Sequence, residues 1–487
     1  MATLELASWV TNLTYSNLTP SVVEAAVKST YNWAGCAIGG YAQDAPHIAQ
    51  ATTQAFFGGP PTSSILGSNG SISEAYADAQ LAALLNGIAS HIDDYDDTHL
   101  ETIIHPAGPV ASALLAVAEW QGPVTGRDFL TAFVAGVEAE CKLGLSVTPE
   151  HYDVGWHITS TTGSIGAAVA VGKLLDLDVT QMQNAVNHFA LLFGIDGHHA
   201  PGHSERRTLY DPGPNIHDSQ IGIAATQVVG MQEFFGSMTK SFHVGRAAQG
   251  GMLGALLAKN NYTSSLHGLE AQYGWLHVVS TRENATAYFD QLGKIWEIEK
   301  NTFKPFPCGI VLHPTIDAAI QLHNEAIQEG KNISSVKKIN LQVNSEVLVL
   351  TGKTDPTTGL EGKFSVYHAA AVAFLYGKAT PTQFTDDVVK NATIIEYRKK
   401  VNVTTDDAQF STDQATVTIE FGDGSTLQKH IEHALGSLEN PLTDAQLKTK
   451  FMDQVSKQLG EQRAERAYAA FTNIGNLTDV GTLRMLY

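Results

Sequence analysis

The chain is predicted to be mostly α-helical, with a large all-helical domain built from both chain ends and a smaller α+β domain inserted between them. Three observations lead there. Apolar residues recur at helical spacing through about residue 270, strand-like alternation appears between 271 and 437, and helical spacing returns over 438–487. A length of 487 residues suits two or three domains, so the boundaries are placed at 1–270, 271–437 and 438–487.

In the first portion, Leu81, Leu84, Leu85, Ile88 and Ile92 follow the face of one helix, which delivers Asp94 just past its end. Pro106 suits a first helical turn, and VASALLAVAEW continues as a buried helix. His105 therefore stands at a helix N-terminus, where the macrodipole disfavours imidazolium and attracts anions, as a neutral base beside a carboxylate would need. FLTAFVAGVEAECKLGL (129–145) is a further helix, rich in small residues. In GWHITSTTGSIGAAVAVGKLL (155–175), His157 precedes Ser160, Thr161 and Thr162, the expected N-caps of a buried helix. In FFGSMTKSFHVGRAAQGGMLGALLA (234–258), Lys240, His243 and Arg246 are three apart and would share a helix face.

In the middle portion, KKINLQVNSEVLVL (337–350) alternates as a strand and FSVYHAAAVAFLYG (364–377) is helical. ATVTIEFGDGSTLQKHI (415–431) reads as a hairpin around Gly422, Asp423 and Gly424. Beyond Asn440 and Pro441, Thr443 through Gln446 resembles a helix cap, and the C-terminal helices are expected to return to the first domain.

The richest chemistry lies in IDDYDDTHLETIIHP (92–106), with four aspartates, a glutamate and two histidines in fifteen residues between apolar helices. Such a cluster is either a solvated loop or a site. Asp93, Asp97 and Glu101 are expected to be solvated. The polar segments around His105, His157 and Lys240, each at the edge of an apolar helix, are expected to wall one pocket.

A net charge of −19 argues against nucleic acid or anionic membranes as partners, and means that a pocket for an anion must be locally basic. Neither a signal or transit peptide nor a run of 18 apolar residues is read, so the expected location is the cytoplasm. Cys36, Cys141 and Cys308 are scattered, which speaks against disulfides, a structural zinc site and a cysteine-ligated iron–sulfur cluster.

One segment does not fit its surroundings. Residues 186–220 hold five of the 19 histidines, three prolines and four glycines between helical patterns. His198, His199 and His203 suggest metal ligands, but Pro201 and Gly202 break the helix that would align them, and no carboxylate or cysteine completes the set. Without the segment the flanks join as one helical pattern. It begins with valine, whose codons start GT, and ends with glutamine, one of whose codons ends AG. It is read as an insertion from a retained intron.

Five ordered motifs carry a resemblance. They are Asp94-x-Asp96-Asp97-Thr98-His99 with His105-Pro106, Gly155-Trp156-His157, Met238 through His243, Lys304-Pro305-x-Pro307-Cys308, and Gly362 through Ser365. Together they resemble the MmgE/PrpD family, which contains 2-methylcitrate dehydratases and cis-aconitate decarboxylases. The resemblance implies a helical domain from both chain ends, a smaller α+β lid, and an active site in the cleft between them. It also implies a homodimer, with no metal or organic cofactor. Asp94, Thr98, His105, His157, Lys240 and Lys304 match the family's active-site positions.

Polycarboxylate chemistry needs cations for the carboxylates and an acid or base at the reacting carbon. Lys240 and Lys304, with His243 or Arg246, would hold a di- or tricarboxylate, and Thr98 joins them as a substrate-binding residue. His105 and His157 would move protons, and Asp94 would orient His105. The expected activity is that of a cofactor-independent lyase, first a 2-alkylcitrate dehydratase of the 2-methylcitrate type, possible in secondary metabolism. The alternatives are a cis-aconitate-type decarboxylase and, if residues 186–220 belong to the protein, an inactive member.

Overall fold

The computed structural model describes residues 2–186, 229–282 and 286–486. The inserted segment therefore lies outside the described residues except for Val186, the last residue of the helix Val179–Val186. The protein is mostly α-helical, as its sequence predicts.

The larger hydrophobic core gathers helices Pro20–Gly40, Ala79–Ile92, Ala107–Gln121, Gly126–Val147, Ile158–Leu174 and Met238–Lys259. Their starts follow local chemistry. Asp78 accepts from the backbone N–H groups of Gln80 and Leu81, and Thr125 from that of Asp128. Thr443 and Gln446 form a capping box before helix Asp444–Leu459. That helix packs on Pro20–Gly40, and its Leu447, Phe451 and Val455 join the larger core.

The second core starts at Phe306 and is built on a four-stranded sheet. Strand order is Val401–Thr405, Val336–Val343, Ala415–Phe421, Thr426–Ile431; the first pair is parallel and the others antiparallel. Alternate residues Ile339, Leu341 and Val343 are buried, and helices His313–Gln328 and Val366–Tyr376 pack with the sheet. The expected hairpin is present, with Gly424 at φ +87° in its turn.

Two expectations need correction. The strand expected over 337–350 stops at Val343, and Glu346–Thr351 is helical. Asn344 and Asp407 cause the break: the Asn344 side chain accepts from Glu346 N–H, and Asp407 accepts from Ser345 N–H. The change in texture at 271 also precedes the change in packing, since Trp275, Leu276, Val279, Phe289, Leu292 and Ile298 pack in the larger core.

Two features bring the polar segments together. Strand Asp97–His99 pairs antiparallel with Asn301–Phe303, tying the acidic loop to the segment that carries Lys304. Helices Ala79–Ile92 and Met238–Lys259 cross at Gly87 and Gly245, where a Cβ on Gly87 would lie 2.7 Å from Gly245 Cα. One on Gly245 would lie 2.4 Å from the Leu84 carbonyl oxygen. This backbone approach sets Lys240 over Asp94.

Gly245→Ala should therefore destabilise the fold by about 1–3 kcal/mol through overpacking, outweighing alanine's better helix propensity. Thermal unfolding should show a lower midpoint for Gly245→Ala. Gly58→Ala, whose added Cβ meets nothing within 4 Å, should leave it unchanged.

Candidate active site

A cavity lies between the two cores, and its walls include Asp94, His105, Tyr152, His157, Phe235, Lys240 and Lys304. Ile103, Ile310, Val311, Leu350 and Phe364 give it an apolar side.

Asp94 is the wall residue on which its two lysines meet. Helix Ala79–Ile92 ends at Asp93, and Asp94 turns the chain at φ +51°, a left-handed conformation that aspartate tolerates better than most residues. Its Oδ1 is 2.7 Å from Lys240 Nζ and 3.1 Å from Lys304 Nζ. Oδ2 is buried without a hydrogen-bond partner. Burial opposes ionisation of Asp94, but the two ammonium groups outweigh it and hold the carboxyl well below the usual carboxylate range. Lys304 Nζ also donates to the carbonyls of Asp94 (3.3 Å) and Cys308 (3.1 Å).

His105 stands directly before helix Ala107–Gln121, as expected from Pro106. Its Nδ1 is 2.7 Å from the Asp97 carbonyl oxygen, which can only accept, so Nδ1 carries the hydrogen and Nε2 the lone pair. The Thr98 hydroxyl is 3.2 Å from the same Nδ1. Burial lowers the His105 pKa to about 3, against the pull of Asp96 and with the help of Lys304, His91 and Lys240.

His157 occupies the N-cap position of helix Ile158–Leu174, where its N–H donates to the Gly230 carbonyl. Its Nδ1 is 3.1 Å from His243 Nδ1, so one ring donates to the other. Its Nε2 is buried and unpartnered. Burial, then Lys240 and His91, drives its pKa well below the usual value. His243 is pushed down to about 4, first by burial.

Several expected roles change. Arg246 turns to the Gln249 side chain and does not line the cavity, because the third position along the helix has rotated away from the Lys240 side. His243 backs His157, and Thr98 backs His105; neither lines the cavity. Asp94 does not orient His105, since both lysines claim it. Asp93 and Asp97, expected to be solvated, are buried. Asp93 pairs with Lys363 (3.3 Å) and Gln43 (3.0 Å). Asp97 accepts from Asn301 (2.5 Å) and Ala107 N–H (3.4 Å). Burial and neighbouring Asp96 push Asp97 up to about 7. Glu101 is exposed, as expected, 3.3 Å from Lys300. Ser160, Thr161 and Thr162 do not cap; the Thr161 and Thr162 hydroxyls donate back to the Ile158 carbonyl and that of Ser160 to His243.

His91, Tyr152 and Phe235 were not singled out from sequence, and Asp96 was named in a motif without a role. His91 falls one residue before the acidic stretch, at the position where the helical pattern expects core. Phe235 is carried on the short turn before Lys240, and its ring lies 5.1 Å from Lys240 Nζ. Among the described residues, His91, Asp94, Asp96 and His105 bring ligand-type atoms within 4.8 Å of one another. Lys240 and Lys304 sit on Asp94, so a cation there would meet two positive charges. The donor set does not suit a metal.

A buried carboxylate under two lysines and two imidazoles kept neutral by burial share one cleft between the two cores. The MmgE/PrpD N-terminal domain matches residues 4–194 and 217–287, and the MmgE/PrpD C-terminal domain matches 306–475. The chain belongs to the MmgE/PrpD family. The unmatched stretch 195–216 falls inside the segment read as an insertion.

A cis-aconitate decarboxylase of Aspergillus terreus is 24% identical, over 99% of this chain and 94% of its own length. One from Mus musculus is 25% identical, over 83% and 78%. A 2-methylcitrate dehydratase of Escherichia coli is 21% identical, over 70% and 68%.

The pH dependence of folding tests the neutral imidazoles. His243 is depressed to about 4 from 6.5, so its contribution to stability is complete above 6.5 and is lost as pH falls toward 4. His243→Gln should gain stability relative to the unmodified protein over that window. Parallel melting curves from pH 7 to 4.5 check this, and a constant difference would refute it.

Proposed function

We propose that this protein is a cofactor-independent lyase acting on a citrate-like di- or tricarboxylate. One observation carries the reading: two buried ammonium groups, Lys240 and Lys304, converge on the cavity that also holds His105 and His157. An arriving polycarboxylate offers these cations new carboxylates in a low-dielectric cleft, where charge-assisted hydrogen bonds are strong. It also brings negative charge beside imidazoles that burial and the lysines keep neutral, and so raises their affinity for a proton.

Decarboxylation of a cis-aconitate-like acid is the finer reading we place first, which reverses the expectation from sequence. It is supported by the near-complete coverage of the Aspergillus terreus relative and by the apolar side of the cavity. A carboxylate held against Ile103, Val311 and Leu350 loses water and departs more readily as carbon dioxide. The bond from the methylene carbon to its carboxylate breaks and its electron pair forms a new double bond to the central carbon, while the pair of the original double bond takes a proton from an imidazolium at the far alkene carbon.

Dehydration of a 2-alkylcitrate is the second reading. It is favoured by two imidazoles on one cavity, because elimination of water needs both a base at carbon and an acid at the leaving hydroxyl. As parts of the same proposal, the protein is a homodimer and works in the cytoplasm. Among the described residues, no helix is long and apolar enough to cross a membrane.

Purified protein incubated with cis-aconitate, 2-methylcitrate and longer alkylcitrates should release carbon dioxide or water, followed by mass; release of neither defeats the lyase reading. Lys240→Ala and Lys304→Ala should each raise KM about tenfold or more, the worth of a charge-assisted hydrogen bond. His105→Ala should lower kcat by at least about a hundredfold. A His105→Ala variant with full rate would remove that residue from the chemistry.

A further inference from the structure

Asp96 has no part in the binding scheme above, yet it is completely buried beside the imidazole that moves the proton. Its Oδ2 lies 2.7 Å from His91 Nδ1, and its Oδ1 lies 3.5 Å from His105 Nδ1. That Oδ1 has no hydrogen-bond partner, and neither does His91 Nε2. A purely structural carboxylate at such depth would be expected to have both oxygens hydrogen-bonded, because an unsatisfied buried acceptor is costly. Here one oxygen is anchored and the other faces the ring of His105.

We propose that Asp96, held in place by His91, is the positioning residue that supplies the counter-charge for protonated His105. The proposal rests on the reading in which His105 exchanges a proton with substrate. In that exchange the proton moves between the substrate carbon and His105 Nε2. The Nδ1 hydrogen stays with the Asp97 carbonyl, and Asp96 takes no proton. What changes is the charge of the ring, and Asp96 is the carboxylate placed against it.

The surrounding charges explain why a dedicated counter-ion is needed. From helix Ala79–Ile92 His91 faces the pair, from helix Met238–Lys259 Lys240, and from the 304–308 loop Lys304. Lys450 of helix Asp444–Leu459 and Cys36 of helix Pro20–Gly40 also sense Asp96, while Asp94 and Asp97 flank it on its own loop. His157 stacks on His91, with ring centroids 5.6 Å apart. Lys240 and Lys304 both oppose a positive His105, and both already share Asp94. Asp97 is pushed up to about 7, first by burial, and its oxygens are taken by Asn301 and the Ala107 N–H. Asp96 is therefore the carboxylate left to balance the imidazolium. Burial opposes its ionisation, but His91 and His105 outweigh that and hold it below the usual range.

The test uses the full-length protein and tricarballylate, a tricarboxylate with neither a double bond nor a hydroxyl to lose. Histidine-selective 13C and 15N NMR, assigned with His105→Gln, should show a neutral, Nδ1-protonated His105 in the free protein at pH 7. It should show an imidazolium in the tricarballylate complex. Asp96→Asn should keep tricarballylate affinity within about threefold, return the bound His105 to the neutral form, and lower kcat about a hundredfold with little change in KM. His91→Gln should lower kcat by a smaller factor, with Asp96→Glu restoring part of the rate lost in Asp96→Asn.

A neutral His105 in the complex of the unmodified protein overturns the proposal whether or not the variants fold. So does an Asp96→Asn protein with full kcat, or one whose only defect is weaker tricarballylate binding. Failure of the lyase reading looks different: neither cis-aconitate nor 2-methylcitrate is turned over by the unmodified protein, and tricarballylate does not bind.

Discussion

Asp94 is the point on which the structure turns. One carboxylate oxygen receives an ammonium from helix Met238–Lys259 and another from the segment after strand Asn301–Phe303. Three stretches of chain, far apart in sequence, are thereby required to meet in one place. Each charge alone would be costly to bury, and removing one partner of a buried pair typically costs about 3–5 kcal/mol. The cluster persists because it assembles as a whole. It also leaves the cavity with more positive than negative charge at its centre, inside a protein whose overall charge is −19.

That arrangement governs the neighbouring groups. Burial first, then Lys240 beside both rings and Lys304 beside His105, keeps His105 and His157 neutral. The remaining acids of the loop are divided among separate partners. Asp93 goes to Lys363, Asp96 to His91 and Asp97 to Asn301, while the loop's His99 goes to Glu297, which in turn holds Lys142. A stretch that would repel itself in solution is stabilised by groups from the surrounding elements. Helix packing sets the distances. Where Gly87 meets Gly245, backbone touches backbone, and a side chain on either would push Lys240 away from Asp94.

Most helices were legible because their apolar spacing and their caps agree: Asp78 before Ala79–Ile92, Thr443 with Gln446 before Asp444–Leu459. The middle strands were legible until a side chain changed the backbone's choice. Asn344 and Asp407 are distant in sequence, and together they turn an alternating pattern into helix Glu346–Thr351. His105, His157 and Lys240 were expected on one pocket because each stands at the edge of a strongly patterned helix, and they do line one cavity; Lys304 was named through the resemblance alone, since the three-residue strand before it carries no pattern. Arg246 was misread because spacing by three drifts around a helix, so Lys240 and Arg246 do not face the same cavity.

Local periodicity and ordered motifs were enough to read the helical architecture, the family and four residues, His105, His157, Lys240 and Lys304, that line one cavity. Tertiary structure alone decided how those residues are partnered. Asp94 serves the lysines and not His105, Asp96 faces His105 from beside His91, and Asp93 and Asp97 are buried. The physical reason is that burial and pairing depend on groups hundreds of residues apart, such as Lys363 on Asp93 and Asn301 on Asp97. No pattern within fifteen residues of acidic chain records which of them will be met.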